Sequence, residues 1–155
     1  MAAQSGAYNI IRPSTTTSTA ITVVQAGGVA GTGAEISRAW CNQSTVTSTA
    51  QTRIQLLLKS GAATVSAQSP ALLVPATQAS KLVSGTTASG ITATIECTDS
   101  TVWDEEGFNI VNGYLYLPVP EERIMTINRI FAHKFPTAPT SAGYINGIEW
   151  LEYAA

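Results

Sequence analysis

Thr52-Arg53-Ile54-Gln55-Leu56-Leu57-Leu58-Lys59 is the stretch that decides the fold class. Ile54, Leu56 and Leu58 fall on one side of an extended chain, and Arg53, Gln55, Leu57 and Lys59 fall on the other. This is the period of two expected of a half-buried strand, and Gly61 ends it. The alternation recurs in Ile91-Thr92-Ala93-Thr94-Ile95-Glu96-Cys97, where Ile91, Ala93, Ile95 and Cys97 are expected inward and Thr92, Thr94 and Glu96 outward. Residues 34–43, with Ile36, Trp40 and Cys41, read as a core strand, and the polar stretch 42–50 as a turn. Toward the N-terminus, residues 8–12 form a short apolar run ended by Pro13. The Thr-rich run 14–19 leads into Ile21-Thr22-Val23-Val24 and reads as an edge strand, since β-branched residues favour strands.

Later in the chain, residues 108–111 and 114–117 are short strands around Asn112-Gly113, a strong hairpin signal. A turn at 118–122 follows, then two strands or one bent strand across 123–135, a loop at 136–143 and a last strand at 144–153. Residues 62–90 are an Ala/Ser/Thr/Gly/Pro-rich connection interrupted by Pro70 and Pro75, compatible with one helical turn at 77–82. The charged stretch 101–107 reads as a loop. No segment shows a sustained 3.6-residue period. Eight to ten short strands predict an all-β protein, a single β-sandwich or jelly-roll-like domain over residues 8–155. Residues 1–7, small and polar, are expected to form a flexible N-terminal arm.

The chain has 155 residues, enough to bury one sizeable core. Only 12% are charged, against about 25% in an average domain; Ser and Thr together outnumber Asp, Glu, Lys and Arg. A hydroxyl-rich surface desolvates at lower cost than a charged one, which suits close contact with a partner. The net charge is −2 and the pI about 5.3. The eight basic residues are scattered from Arg12 to Lys134, without the clustering that phosphate neutralisation needs, so nucleic acid is not an expected partner. Apolar runs such as Leu56-Leu57-Leu58 fall far short of the about 20 residues that span a bilayer, so no membrane role is expected. The N-terminal residues lack the basic start and apolar stretch of a secretory signal, and the expected compartment is a cytoplasm. Cys41 and Cys97 show no metal-ligand spacing and read as small buried hydrophobes; a disulfide is sterically open to them if their strands are neighbours, but a reducing cytoplasm opposes it.

Catalytic signals are sparse. Gly31-Thr32-Gly33 lacks the further glycines, lysine and helix of a phosphate loop. His133, the single histidine, has no nucleophile motif to serve and reads as a surface or interface residue. The carboxylates at Asp104-Glu105-Glu106, Glu121-Glu122 and Glu149/Glu152 read as solvated surface charge rather than an acid/base pair. Asp104-Glu105-Glu106 also lacks the alternating ligands of a calcium loop. Most of the aromatic residues are expected in the core. The sequence thus predicts no enzyme, no cofactor and no metal.

A set of features together resembles small β-structured decoration (capsid cement) proteins of tailed-phage heads: Ile36-Ser37-Arg38-Ala39-Trp40; Arg53-Ile54-Gln55-Leu56-Leu57-Leu58-Lys59-Ser60; the passage rich in Pro, Ala and Thr; Ile91-Thr92-Ala93-Thr94; Leu117-Pro118-Val119-Pro120-Glu121-Glu122-Arg123-Ile124; Ala142-Gly143-Tyr144-Ile145; and Glu149-Trp150-Leu151-Glu152-Tyr153. The resemblance covers about residues 34–153. It implies a structural virion protein, assembled in a host cytoplasm, that sits on the capsid surface as a homotrimer and binds the major capsid protein. On that reading the partner interface is expected at the arm, anchored by Tyr8 and Arg12, and at Trp103, Asp104, Glu105 and Glu106; Trp103 either joins this surface or closes the core at a strand end. The alternative is a tail- or fibre-associated module that binds a receptor or carbohydrate.

Overall fold

The computed structural model describes residues 4–27, 33–45, 49–73, 79–97, 100–123, 125–126 and 129–153. It is all-β, as the period-two pattern predicts. The strands are β1 (Gln4–Thr17), β2 (Ile21–Ala26), β3 (Ala34–Gln43), β4 (Gln51–Lys59), β5 (Thr64–Ala67), β6 (Ala71–Leu72), β7 (Gly90–Ile95), β8 (Ser100–Asn109), β9 (Tyr114–Tyr116), β10 (Met125–Thr126), β11 (Ile130–Phe135) and β12 (Ala142–Tyr153). One short 3-10 turn, Pro120–Glu122, interrupts them. Sheet A has the order β10-β3-β12-β1-β6, with β9 beside β10 on the outer edge of β3; sheet B has the order β5-β7-β2-β11-β4-β8. Every pairing between these strands is antiparallel.

The two sheets pack face to face as a β-sandwich. One buried cluster joins Tyr8, Ile10, Ile36, Ile148 and Trp150 of sheet A to Val24, Leu56 and Phe131 of sheet B. A second joins Cys41, Tyr114 and Tyr144 to Val23, Ile54, Phe108 and Phe135. Cys41 is buried, Cys97 is half-buried, and no disulfide joins them.

The first strand begins earlier and ends later than expected. Gln4 to Ala7 already belong to β1, with Gln4 opposite Tyr153 and Ala7 opposite Leu151; of the expected arm, residues 1–3 lie outside the described residues. Pro13 does not end the strand, because it sits at a bulge. Pairing steps from Arg12↔Asn146 to Thr15↔Tyr144, so the residue without an N–H falls where the ladder is already broken. The Thr-rich run continues β1 as far as Thr17; it pairs with β12 on one side, and on the other β6 reaches only Tyr8 and Asn9, so the run lies at an edge as expected.

Other expectations change as well. Residues 101–107 are strand, not loop: they form most of β8 and pair along β4. Asn112-Gly113 does turn the chain, with Gly113 at φ +74, but β8 lies in sheet B and β9 in sheet A, so it joins two sheets rather than a hairpin. A Cβ on Gly113 would overlap the Asn42 side chain and crowd the Cys41 carbonyl, which holds this crossover against β3. The helical turn at 77–82 falls partly outside the described residues, and 79–82 are not helical. Glu152, buried, accepts hydrogen bonds there from the backbone N–H of Lys81 (2.9 Å) and Leu82 (3.3 Å), and from Trp150 Nε1 (3.0 Å), tying the passage to β12.

The phase of β7 also departs from simple alternation. Opposite β5 it carries two extra residues, Thr94 and Thr92, so Ile95 turns out to solvent. Thr92 has φ +51, a costly conformation for a β-branched residue. Its Oγ1 accepts a 2.8 Å hydrogen bond from Arg12 Nε across the sandwich. Glu96, expected outward, turns onto Lys59. It accepts hydrogen bonds from Thr22 N and Oγ1 (2.5 and 2.8 Å) and lies 3.4 Å from Lys59 Nζ and 3.5 Å from Lys134 Nζ. Lys59 is fully buried, and burial draws its ammonium below the usual value against the pull of Glu96. Burial pushes the Glu96 carboxyl up, but the Thr22 bonds and the two lysines outweigh it and leave it below the ordinary 4.5.

Two stability predictions follow from this packing. Trp40 lies on the outer face of sheet A with Arg38 stacked 4.6 Å from its ring, and a Cβ on Gly147 would overlap that ring. Gly147→Val is expected to lower stability by about 1–3 kcal/mol in urea unfolding. Glu96→Gln is expected to lower it by about 1–3 kcal/mol at pH 7. Because the folded carboxyl titrates below its unfolded value, its contribution is present above pH 4.5 and is lost as pH falls. Unfolding curves of wild type and variant should therefore converge on acidification.

Candidate interaction surface

β8 and β9 are edge strands of opposite sheets and lie on the same side of the sandwich. Tyr114 Oη donates a 2.6 Å hydrogen bond to Asp104 Oδ2, and Trp103 Nε1 donates to Tyr116 Oη at 3.2 Å. These bonds link the two edges and fix the ring of Trp103.

Trp103 is exposed because of register. Pairing between β4 and β8 steps from Leu56↔Asp104 to Leu57↔Val102, which leaves Trp103 as the extra residue of a bulge. A bulge in an edge strand re-aims one side chain and interrupts the template that another chain could extend. Trp103 is accordingly 50% exposed, the only exposed ring among the described aromatic residues, and does not serve as a core plug.

The three carboxylates separate because they sit on a strand. Asp104 turns to Tyr114, whose phenol is pushed up, first by burial and then by that bond. Glu105 points to the outer face, where Gln55 Nε2 donates to it at 2.6 Å and Arg53 forms an ion pair with it. These two partners hold the Glu105 carboxyl below its usual range. Glu106 is exposed opposite Ile54. Alternation thus divides the acidic triplet between faces. Among the described residues no group of three or more His, Cys, Asp or Glu side chains could hold a metal.

Tyr8 and Arg12, expected as surface anchors, are interior. Tyr8 is 2% exposed and stacks on Trp150, with centroids 6.3 Å apart and planes at 27°. Arg12 is 1% exposed and donates to Thr92 and Thr17. The reason is pairing: on β1 they alternate inward with Ile10, opposite Trp150, Ile148 and Asn146 of the last strand. His133, expected at the surface, is also fully buried. It follows Phe131 on the inner face of β11 and lies 5.3 Å from the Tyr114 ring.

Sequence reasoning missed the other exposed apolar side chains of these two edges. Val102, Leu115, Leu117 and Val119 are 46%, 55%, 67% and 53% exposed. The signal was present in Leu117-Pro118-Val119-Pro120, where alternating prolines keep the chain out of a ladder and leave the intervening side chains outside the core. Comparison with known families, characterised proteins and solved structures gave no match to this chain.

Proposed function

We propose that this protein is a non-enzymatic structural module that decorates the outside of an icosahedral phage head, where it bridges neighbouring major capsid proteins. The observation that carries the reading is the number of exposed apolar side chains on two neighbouring sheet edges: Val102 and Trp103 on β8, Leu115 on β9, and Leu117 and Val119 just after it. Apolar side chains gathered in the open at one edge favour a protein contact, and Trp is enriched where binding energy concentrates. The phage assignment rests on the sequence resemblance. The sandwich supports it, since cement needs a scaffold that does not deform, and so does the low-charge, hydroxyl-rich surface.

The footprint is revised accordingly. Trp103 and its apolar neighbours form the centre, Asp104, Glu105 and Glu106 the polar rim, and Tyr8 and Arg12 belong to the scaffold. A homotrimer would multiply weak single contacts on a repeating lattice.

Co-sedimentation of the purified protein with phage heads from the same genome tests this, followed by imaging of the pelleted particles. Regular density at fixed lattice positions is expected, with Trp103→Ala weakening binding about tenfold or more while thermal unfolding stays near wild type. Absence of binding by folded wild-type protein would overturn the decoration reading in favour of the tail or fibre module.

A further inference from the structure

Three inward-facing polar side chains stand at one level of the sandwich and divide its apolar interior. Along β12, Trp150 and Ile148 belong to the first hydrophobic cluster, Tyr144 and Ala142 to the second, and Asn146 lies between them. Along β11, Phe131 belongs to the first cluster, Phe135 to the second, and His133 lies between them. On β1, Arg12 follows Tyr8 and Ile10 of the first cluster and pairs with Asn146. Asn146 pairs on its other side with Cys41, and Cys41 with Tyr114, whose ring faces His133.

The polar groups at this level do not satisfy one another. Arg12 Nη1, Asn146 Nδ2 and Oδ1, and His133 Nδ1 and Nε2 are buried without a hydrogen-bond partner in the chain. They are five of eight such atoms among the described residues, so the deficit is concentrated here. The other Arg12 donors reach only neutral hydroxyls, Thr92 Oγ1 at 2.8 Å and Thr17 Oγ1 at 2.9 Å. Among the described residues no carboxylate forms an ion pair with it.

The surrounding titratable groups do not supply the missing charge. Burial pushes the Cys41 thiol up despite Arg12 nearby, so it stays neutral. Burial raises the Tyr144 and Tyr114 phenols, and Tyr114 donates its proton toward Asp104. Burial lowers His133 to about 3, which leaves a neutral imidazole with one N–H. The level therefore holds one guanidinium, unused N–H donors on three side chains and no counter-charge. An isolated buried charge is strongly unfavourable, and a buried cation is normally paired.

We propose that this level is a binding site for one small monovalent anion, a halide such as chloride, held by Arg12 Nη1 and the amide Nδ2 of its cross-strand neighbour Asn146. The donor-rich composition selects an acceptor-only ligand. The apolar clusters above and below, and the narrow gap between packed sheets, exclude oxyanions such as sulfate. This site is independent of the capsid reading.

Equilibrium unfolding of the full chain in chloride–gluconate mixtures of constant ionic strength tests the proposal, with ³⁵Cl NMR linewidths as a direct readout of binding. Stability is expected to rise with chloride or bromide and, beyond the dissociation constant, to grow linearly with the logarithm of concentration, as one-site linkage requires. Arg12→Met should abolish the halide dependence. Asn146→Asp, which supplies a carboxylate beside Arg12, should fold without halide and show no dependence, and this keeps the test decisive if Arg12→Met does not fold. Equal stability of wild type in chloride and gluconate, with no protein-dependent ³⁵Cl broadening, would overturn the proposal and leave water as the occupant.

Discussion

The pairing of the first strand with the last is the constraint on which the remaining structure depends. β1 and β12 run antiparallel through the middle of sheet A, and their inward pairs are Tyr8 with Trp150, Ile10 with Ile148, and Arg12 with Asn146. The first two pairs build one end of the core; the aromatic pair adds about 0.5–1.5 kcal/mol beyond its buried area. The third places a charge at the boundary between two apolar clusters. Because these strands lie at opposite ends of the chain, the core closes only after about 130 intervening residues are organised, as their register numbers show. Such high contact order predicts slow folding relative to helical proteins of similar size.

Consecutive strands often change sheets, so nearly every ladder joins segments distant in sequence. β3 pairs with β12, β4 with β8 and β11, and β2 with β7 and β11. Local sequence could not report these partners. It did report the strands themselves, because a period of two needs only one apolar face, and residues 52–59, 34–43 and 144–153 were legible for that reason. What alternation misjudged lies at bulges or under later elements. Ile95 was placed inward and is exposed, because two extra residues shift β7 against β5. Lys59 keeps its expected face but is buried, because Glu96 and Thr22 close over it. An Asn-Gly turn specifies a reversal and not which sheet the next strand joins, so the predicted hairpin became a crossover.

The candidate site was legible in part for the same physical reasons. Trp103 and the three carboxylates are at the surface, as an acidic stretch suggests, but the reading as a loop hid their division between two faces. Tyr8 and Arg12 were expected to anchor an arm at the surface because the residues before them are small and polar. Such residues pair as readily as larger ones when the partner strand supplies the side chains, and Gly6 does this: a Cβ there would meet the Tyr8 ring 2.8 Å away. His133 looked available because a single histidine carries no pattern; only the apolar residues on both sides of it, Phe131 and Phe135, hinted that its face was inward.

The edge at β8 combines features that oppose backbone pairing with an exposed Trp side chain. A ten-residue edge strand offers unpaired backbone groups to any other extended chain. Here the bulge at Trp103 interrupts that row, and Asp104, Glu105 and Glu106 follow it directly. Antiparallel pairing of β8 with its own copy would bring these acidic stretches together, and like charges facing each other across strands are destabilising. The same carboxylates leave Trp103 and the apolar residues of the neighbouring edge uncovered. Association at this edge is thus biased away from backbone pairing between copies and toward side-chain docking. On the proposed reading, the partner's surface is apolar at its centre and neutral or basic at its rim.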